Sequence, residues 1–359
     1  MRVIISGYYG FGNLGDEAVL AAMLPPLRKK LPAAEFTVFS ANPTLTARLH
    51  NVDSVSRTGL PAIRALNGAD LFLSGGGSLL QDVTSAQSAL YYLGTLALAT
   101  ARARHTMVFA QGVGPLQRPW IRSLTRWTLE RVDLLTVRDS ASRELVQSLG
   151  VRQPIHLVAD PVFALEPAPA ARTEALLGAL PRPRLGIALR SWRNDAFVDS
   201  LIVSLRRWRD QAGGVIVPLA FHPSRDLQVS RRVATALGGD VLTNLRPDEM
   251  LGTIGALDLL IGMRLHALMA AVVTGVPMIG LSYDPKIDAL FRQVPIGQVL
   301  SLDHLDAQVL DDGLRRTWDA REELRAGLLR HAATLRAEAL RAADLAASLV
   351  TGTRPNVGT

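Results

Sequence analysis

The chain contains no cysteine among its 359 residues. This absence excludes a disulfide scaffold, thiolate metal ligands and a cysteine nucleophile, and it is typical of a cytoplasmic protein. Aromatic residues are also scarce, at 5% of the composition. The longest apolar stretches, 89–100 and 257–281, are too short for a membrane span or contain charged residues. The sequence therefore predicts neither a membrane-spanning helix nor a signal peptide.

Negative charge is in deficit: 32 Asp and Glu stand against 39 Lys and Arg, which gives a net charge of +7. A basic surface favours anionic partners such as nucleic acid, anionic lipid or phosphorylated substrates. No helix-turn-helix, zinc-finger or RNA-recognition pattern accompanies the charge, so the sequence predicts no nucleic-acid partner.

Short apolar runs alternate with segments of helical apolar spacing in both halves of the chain. The predicted strands are 3–6, 35–40, 71–74, 106–111, 134–137 and 156–159, then 185–189, 215–218, 241–243, 257–261 and 277–281. This alternation predicts right-handed βαβ units and mostly parallel sheets. We predict an α/β protein of GT-B-like architecture, with two Rossmann-like doubly wound domains facing an interdomain cleft. In such sheets ligands bind beyond the carboxyl ends of the strands.

The chain is long enough for two such domains. Composition changes predict the boundaries: an N-terminal domain over 1–165, a Pro- and Ala-rich linker with a short helix over 166–184, a C-terminal domain over 185–304, charged helices over 305–350 and a flexible tail over 351–359.

Gly10, Gly12 and Gly15 have the spacing of a dinucleotide-binding fingerprint between a predicted strand and a helix. Asp16 and Glu17 follow at once, where their charge would oppose a pyrophosphate, and no acidic residue ends the second strand to bind a ribose. A nicotinamide enzyme is therefore disfavoured. Two roles for Asp16 remain open: it accepts hydrogen bonds from a sugar or acts as a base, or it complements the helix dipole.

A second glycine run, Gly75 to Gly77, follows another predicted strand. It indicates either close backbone approach to a ligand or a tight strand-to-helix turn. Gln81 and Asp82 are predicted on the helix that follows, where they would line the acceptor side of a site.

Arg264 and His266 lie where a predicted strand meets an apolar helix. Backbone amides, the helix dipole and a guanidinium together make an anion site, and histidine exchanges protons near neutral pH. The alternative is a buried histidine satisfied by the backbone beside an arginine that bridges the domains. Arg190 and His222 end other strands of the second domain at the same edge. Because no acidic residue is placed to hold a ribose, the pattern predicts recognition of phosphate without a nucleoside.

Three arginines recur beside two tryptophans in one predicted helix: Arg118, Arg122, Arg126, Trp120 and Trp127. Such a helix can present a basic, aromatic face to anionic lipid. The alternative is the common arrangement, in which the tryptophans pack inward.

Eight segments, in order along residues 1–300, resemble the polysaccharide pyruvyl transferase family, most closely its branch that pyruvylates secondary cell-wall polymers for S-layer attachment. They are GYYGFGNLGDEA (Gly7–Ala18), SGGGSLLQDVTS (Ser74–Ser85), AQGVGP (Ala110–Pro115), RDSAS (Arg138–Ser142), DPVF (Asp160–Phe163), ALRSW (Ala188–Trp192), GMRLHAL (Gly262–Leu268) and SYDPK (Ser282–Lys286).

The resemblance implies phosphoenolpyruvate as co-substrate, no cofactor, no metal, and a ketal across two sugar hydroxyls as product. It implies an N-acetylmannosamine acceptor on a polyprenyl-diphosphate carrier, bound by the N-terminal domain, and hence peripheral contact with the inner membrane face. Catalytic candidates are His266 as general acid, Arg264 and Asp16. Substrate-binding candidates are Arg190, Leu265, Gly12, Asn13, Gly76, Gly77, Gln81, Asp82, His222 and Lys286.

Two alternatives remain open from the sequence. One is a GT-B glycosyltransferase that uses a nucleotide sugar in envelope polysaccharide synthesis. The other is a non-enzymatic sugar- or phosphate-binding protein of envelope assembly. The first predicts binding of a nucleoside diphosphate, and the second predicts that no turnover is seen.

Overall fold

A computed structural model describes residues 1–83, 85–178 and 180–352. The chain divides into two compact units. Unit 1 consists of Met1–Phe11, Val19–Ala164 and Leu335–Thr359, and unit 2 of Gly12–Ala18 and Leu165–Thr334. Of the tail expected over 351–359, the part from 353 onward lies outside the described residues.

The sheet of unit 1 is parallel throughout. Its strands are β1 (Arg2–Ser6), β2 (Glu35–Ser40), β3 (Asp53–Ser56), β4 (Leu71–Ser74), β5 (Gly77–Leu80), β6 (His105–Val113), β7 (Leu134–Val137) and β8 (Ile155–Leu157). They lie in the order β3-β2-β1-β4-β6-β7-β8, and β5 pairs with β6. The strand order reverses between β1 and β4, which makes a switch point there.

Helices pack around this sheet, most of them through buried apolar side chains. They are α1 (Leu14–Lys30, of which Leu14–Ala18 belong to unit 2), α2 (Pro43–His50), α3 (Leu60–Leu66), α4 (Ala86–Thr100), α5 (Pro119–Leu129) and α6 (Ser140–Ser148). Side-chain caps fix several helix starts: Asn42, for example, accepts the N–H of Leu45 at 3.2 Å. Buried side chains such as Phe39, Phe72 and Leu96 form one continuous core.

The sheet of unit 2 is also parallel. It consists of β9 (Arg184–Ala188), β10 (Val215–Pro218), β11 (Leu259–Gly262), β12 (Met278–Ser282) and β13 (Gln298–Ser301), in the order β10-β9-β11-β12-β13. This is a doubly wound order with its switch point between β9 and β11.

The helices that begin in unit 2 are α7 (Ala170–Leu177), α8 (Phe197–Ala212), α9 (Pro223–Leu237), α10 (Pro247–Gly255), α11 (Leu265–Thr274), α12 (Pro285–Gln293), α13 (Ala307–Asp319) and α14 (Arg321–Thr351). From Leu335 onward α14 belongs to unit 1. A second core forms around Leu201, Ile261 and Leu281. Helix α11 is apolar on all sides, and most of its residues are buried.

Three strands were not predicted from the sequence: β3, β5 and β13. The strand predicted at 241–243 is wrong, because only Leu242 pairs, in an isolated bridge to Leu219. The helix predicted for Gln81 and Asp82 is also wrong. Both residues follow β5, and α4 begins only at Ala86.

Candidate functional site

The switch point of the second sheet brings two predicted arginines to one edge. Ala188 of β9 and Gly262 of β11 are paired in register, and the N–H of Met263 donates to the carbonyl of Ala188 at 2.9 Å. Arg190 and Arg264 each follow this pair by two residues. Ligands of open parallel sheets bind at such a point. Both arginines therefore leave the sheet next to the position where a ligand is expected.

Arg264 is held by the carboxylate of Asp226, in the first turn of α9. Its Nε donates to Oδ2 at 3.0 Å and its Nη2 donates to Oδ1. The carboxylate is fully buried, whereas the Arg264 side chain is 13% exposed. No acceptor among the described residues lies within hydrogen-bonding reach of Nη1. Asp226 therefore fixes one side of the guanidinium and leaves the other available to an anion.

Sequence reasoning did not find Asp226. An acidic residue in the first turn of a helix is usually a surface group that complements the helix dipole. Here the carboxylate is 0% exposed and also accepts the backbone N–H of His222 at 2.8 Å. The sequence prediction that His222 ends a strand is wrong, because β10 ends at Pro218 and His222 is the N-cap of α9. The available signal for Asp226 was its position in the first turn of a helix, four residues after that histidine.

His222 is the N-cap residue of α9 and is 7% exposed. Its Nδ1 lies 2.9 Å from the hydroxyl of Ser224. Burial lowers the pKa of His222, and the positive charges of Arg225 and Arg264 lower it further, against an opposing effect of Asp226. His222 is therefore a neutral polar group near Arg264, and not a further cation.

His266 is the second residue of α11 and Arg264 is the N-cap, so both lie where the strand meets the helix, as the sequence predicted. The ring is closely approached by the backbone of Gly15, at the end of the glycine loop (residues 7–15). A Cβ added to Gly15 would overlap Nδ1 of the imidazole. Two motifs that are far apart in the sequence thus meet in unit 2, and the absence of a side chain at position 15 makes room for the histidine.

The start of α1 is also hydrogen-bonded to the segment that precedes α9. The N–H of Leu14 donates to the carbonyl of Phe221 at 2.8 Å. The side-chain Nδ2 of Asn13 donates to the carboxylate of Asp16. Its Oδ1 accepts the backbone N–H of Gly15 at 3.3 Å. Asp16 lies in the first turn of α1, where it complements the helix dipole. Its role as a base stays a prediction.

Arg190 lies against an aromatic side chain at the end of β12. Its Nη1 donates to the hydroxyl of Tyr283 at 3.1 Å, and its Cζ lies 5.0 Å from the centre of that ring. Trp192 packs on the same ring at 4.9 Å. The Nε of Arg190 is buried and finds no acceptor among the described residues. A buried donor without an acceptor is costly, so a bound anion would stabilise this arrangement.

The remaining predicted residues of unit 2 lie at the starts of α11 and α12 and before α1. Leu265 is the first residue of α11 and is partly exposed. Lys286 is the second residue of α12, where its N–H donates to Asp284 Oδ1 at 3.0 Å. Gly12 is exposed, with open space around it. Their substrate contacts stay predictions.

In unit 1 the glycine run lies at the switch point between β1 and β4. The N–H of Gly75 donates to the carbonyl of Ser6 at 2.7 Å. A Cβ on Gly76 would come within 2.7 Å of the Val19 side chain, so packing alone requires glycine there. Gly77 has a φ of +95°, which other residues rarely adopt. These constraints account for the glycines structurally, and their contact with a substrate stays a prediction.

Asp82 is 1% exposed and fixes the chain that enters α5. Its carboxylate accepts the N–H groups of Gln117 at 2.7 Å and Arg118 at 2.8 Å. Burial alone would raise the pKa of Asp82, but these hydrogen bonds and the charge of Arg118 hold it below its usual range. Gln81 beside it is partly exposed. Both stay predictions as substrate-binding residues.

The tryptophans of α5 do not pack inward, so that interpretation is wrong. Trp120 is 49% and Trp127 46% exposed. The guanidinium of Arg131 lies 3.9 Å from the centre of the Trp127 ring, while Arg126 pairs with Glu130 at 3.6 Å. Within the described ranges no helix is both long and apolar enough to cross a bilayer.

In the part of the chain that the structure describes, no three His, Cys, Asp or Glu side chains are grouped so that they could hold a metal ion. The predicted absence of a metal and of a cofactor stays a prediction.

Solved structures share this fold. Staphylococcus aureus MnaA in complex with UDP has a TM-score of 0.67 at 11% identity, covering 100% of this chain and 99% of that one. Anabaena HepE in complex with UDP-glucose has a TM-score of 0.64 at 12% identity, covering 98% and 100%. UDP-GlcNAc 2-epimerase from Neisseria meningitidis bound to UDP-GlcNAc has a TM-score of 0.59 at 10% identity, covering 95% and 100%. Together with the two parallel sheets of this chain, the similarity to these structures confirms the predicted GT-B-like α/β fold.

A search of curated proteins finds no match to the chain. The family model for polysaccharide pyruvyl transferase matches residues 13–285. The matched range runs from the glycine loop through the Arg264 and His266 segment to the start of α12. The chain belongs to the polysaccharide pyruvyl transferase family.

Proposed function

We propose that this chain transfers the pyruvyl group of phosphoenolpyruvate to two hydroxyls of one sugar, forming a ketal and releasing phosphate. The observation that carries the proposal is the edge of the second sheet, where Arg190 and Arg264 flank the switch point and His266 begins α11. Such a cluster suits a small substrate that carries both a carboxylate and a phosphate.

The two arginines divide the binding of the donor. Arg264 offers the side of its guanidinium that Asp226 leaves open, and Arg190 offers Nε beside Tyr283. Asp226 holds Arg264 and Tyr283 holds Arg190 by hydrogen bonds, so little reorganisation is needed when phosphoenolpyruvate binds.

His266 is the proposed general acid. It protonates the methylene carbon of the enol, which becomes a methyl group and leaves an oxocarbenium-like carbon beside the carboxylate. One sugar hydroxyl attacks that carbon and loses its proton. The bond from this carbon to the phosphate oxygen then breaks, and the second hydroxyl closes the ketal. Of the two hydroxyl protons, one replaces the proton that His266 gave and the other leaves with phosphate.

For the acceptor we propose N-acetylmannosamine on a lipid-linked precursor, processed at the inner face of the membrane and used in S-layer attachment. The support is the resemblance carried by the glycine loop, the second glycine run and the other motifs in unit 1. In this assignment unit 1 holds the sugar, near Gly76, Gly77 and Gln81.

The first test is phosphate release from phosphoenolpyruvate with an N-acetylmannosamine-terminated acceptor. We expect acceptor-dependent release in the wild type and a fall of about 10²- to 10⁴-fold in His266→Ala. The matched control is His304→Ala, which removes an exposed histidine and should leave the rate unchanged. No release with any sugar acceptor would contradict the proposal.

A second candidate is a glycosyltransferase that uses a nucleotide sugar. It is favoured by the solved structures of the same fold, whose titles name UDP, UDP-glucose and UDP-GlcNAc as bound molecules. Tight binding of UDP by the wild type, with no binding of phosphoenolpyruvate, would support this candidate over pyruvyl transfer.

We further propose that α5 contacts an anionic membrane surface. Trp120 and Trp127 are both about half exposed, and tryptophan favours the region of lipid head groups. Arg131 adds a cation beside Trp127, which suits anionic lipid.

Sedimentation with vesicles tests this contact. We expect binding to vesicles of equal phosphatidylglycerol and phosphatidylcholine, weaker binding to phosphatidylcholine alone, and loss of binding in the double variant Trp120→Ser, Trp127→Ser. Leu329→Ser is the control, since Leu329 is a similarly exposed apolar residue, at 48%, on α14. Equal sedimentation of the wild type and the double variant would contradict the proposal.

A further inference from the structure

Four side chains form a stack at the carboxyl edge of the first sheet. Tyr8 and Phe11 follow β1, and their rings are parallel with centres 4.1 Å apart. Arg57 follows β3, and its Cζ lies 5.0 Å from the Phe11 ring and 3.8 Å from the ring of Tyr91 on α4. The guanidinium thus lies against the rings of Phe11 and Tyr91. We call these four residues the Arg57 stack.

The main chain of Arg57 is firmly held. Its N–H donates to the carbonyl of Ser40 at 3.0 Å, and its carbonyl accepts the hydroxyl of Tyr91 at 2.7 Å. Its side chain differs from that of Arg207, which pairs with Asp311 at 2.5 Å. Among the described residues no carboxylate or other acceptor lies within reach of the Arg57 guanidinium, which contacts only rings.

Ring contacts leave the donors of a guanidinium unused. A cation over an aromatic face is attracted by the ring, but its five N–H groups still point outward in the guanidinium plane. Arg57 is partly buried, and partial burial of a cation without an acceptor is unfavourable. A stack that only fastened the loop to α4 would be served equally well by an apolar side chain.

We infer that the Arg57 stack binds a saccharide that carries an anionic group. The guanidinium edge receives a carboxylate or phosphate in a paired geometry, and an exposed part of an adjacent ring packs against the C–H face of the sugar. Tyr8, Phe11, Arg57 and Tyr91 are all partly exposed, so a ligand can reach them. The inference rests on the proposed function, for which it assigns a binding site and a charge preference to the acceptor.

The location fits this role. Tyr8 and Phe11 belong to the glycine loop, which leaves β1 at the switch point of the first sheet. The hydroxyl of Tyr92, whose ring lies 5.5 Å from the Arg57 guanidinium, donates to the carbonyl of Gly7 at 3.3 Å. The stack is therefore attached to the loop beside the switch point, where a ligand of this sheet is expected.

The test is titration calorimetry with three probes: methyl N-acetylmannosaminide, N-acetylmannosamine 1-phosphate and N-acetylmannosaminuronic acid. We expect the wild type to bind one of the two anionic probes at least about tenfold more tightly than the neutral one. The tighter of the two shows whether phosphate or carboxylate is the natural group. Arg57→Gln should lose this preference while its affinity for phosphoenolpyruvate is unchanged.

Arg64→Gln is the matched control, because Arg64 is an exposed arginine on the neighbouring helix α3 and its loss changes the net charge equally. Phe11→Leu should weaken binding of all three probes and retain the preference for the anion. Equal affinities of the wild type and Arg57→Gln for every probe would overturn the inference. So would equal losses for sugars and phosphoenolpyruvate together with a lower Tm, because that result assigns the stack a purely structural role.

The proposed function can fail separately. If the wild type binds anionic sugars through Arg57 but releases no phosphate from phosphoenolpyruvate, the saccharide site stands and pyruvyl transfer does not. If phosphate release is normal and Arg57→Gln behaves like the wild type, only the saccharide site is refuted.

Discussion

Each unit contains an arginine that closely follows a buried strand and pairs with a buried carboxylate, and the two differ in how many donors remain. Arg138 follows β7 and is 4% exposed. Its Nε, Nη1 and Nη2 donate to Asp139 at 3.3 Å, to Asp160 at 2.8 Å and to Ser78 at 2.8 Å. Arg264 follows β11, is 13% exposed and uses two nitrogens on the single carboxylate of Asp226.

The difference separates a structural arginine from one that we propose to bind a ligand. Burial alone would lower the pKa of Arg138, but Asp160 and Asp139 raise it, and all three of its side-chain nitrogens donate to groups in unit 1. Arg264 has a fixed orientation and an unused edge. The number of occupied donors is therefore more informative than the residue type or its position after a strand.

The largest expected effect is on the stability of unit 1. Arg138→Met leaves the buried carboxylate of Asp160 without its cation, which should lower the free energy of unfolding by about 3–5 kcal/mol. Urea denaturation of the variant beside the wild type measures this. A loss below about 1 kcal/mol would show that Arg138 is not the structural member of the comparison.

Arg264→Lys should separate activity from stability. Lysine keeps a positive charge beside Asp226 but loses the two-pronged geometry and the free edge. We expect phosphate release to fall about 10²-fold, with unfolding free energy within about 1 kcal/mol of the wild type. Arg138→Lys should instead lower the unfolding free energy and leave phosphate release close to that of the wild type. Equal loss of stability in both lysine variants would contradict the comparison.

Gly15→Ala should displace the ring of His266, because the added Cβ overlaps its Nδ1. We expect phosphate release to fall about tenfold, since small displacements of a catalytic group are costly. Gly94→Ala is the matched control: a Cβ at this position in α4 meets only open space, and a small gain of stability is expected. Normal activity in Gly15→Ala would mean that the ring position is unimportant.

The smallest effect concerns His222 and pH. Its folded-state pKa lies below the ordinary value of 6.5, so above that pH both folded and unfolded chains hold it neutral. As pH falls below 6.5, the unfolded chain takes up the proton first, and the stability contribution of His222 is lost. Relative to His222→Asn, the wild type should lose stability between pH 7.5 and 5. A constant difference across this range would contradict the shift.

The strands that the sequence predicted best are the buried ones. Glu35–Ser40, Leu134–Val137 and Val215–Pro218 were predicted at their observed limits, since apolar runs between turns are a direct signal. Asp53–Ser56 was missed because it lies at the sheet edge and none of its residues is buried. Its pairing with β2 depends on the tertiary structure.

The site was predictable to the extent that it follows strand ends. Arg190, Arg264 and His266 were found because each closely follows a buried strand. Asp226 and Arg57 were missed, since their roles depend on burial or on ring contacts with residues distant in the sequence. Exposure of Trp120 and Trp127 was also not predictable, because an amphipathic pattern does not show whether a large side chain at its boundary is covered.

The membership of Gly12–Ala18 in unit 2 has a consequence for synthesis of the protein. These residues leave the ribosome long before Phe221 and His266, the partners to which Leu14 and Gly15 are fitted. Residues 165–334 alone therefore do not complete unit 2. In a nascent chain the first turn of α1 lacks these contacts until residues 165–334 have been synthesised. Expression of residues 165–334 as a separate fragment would yield a sheet without the segment that lies against its histidine.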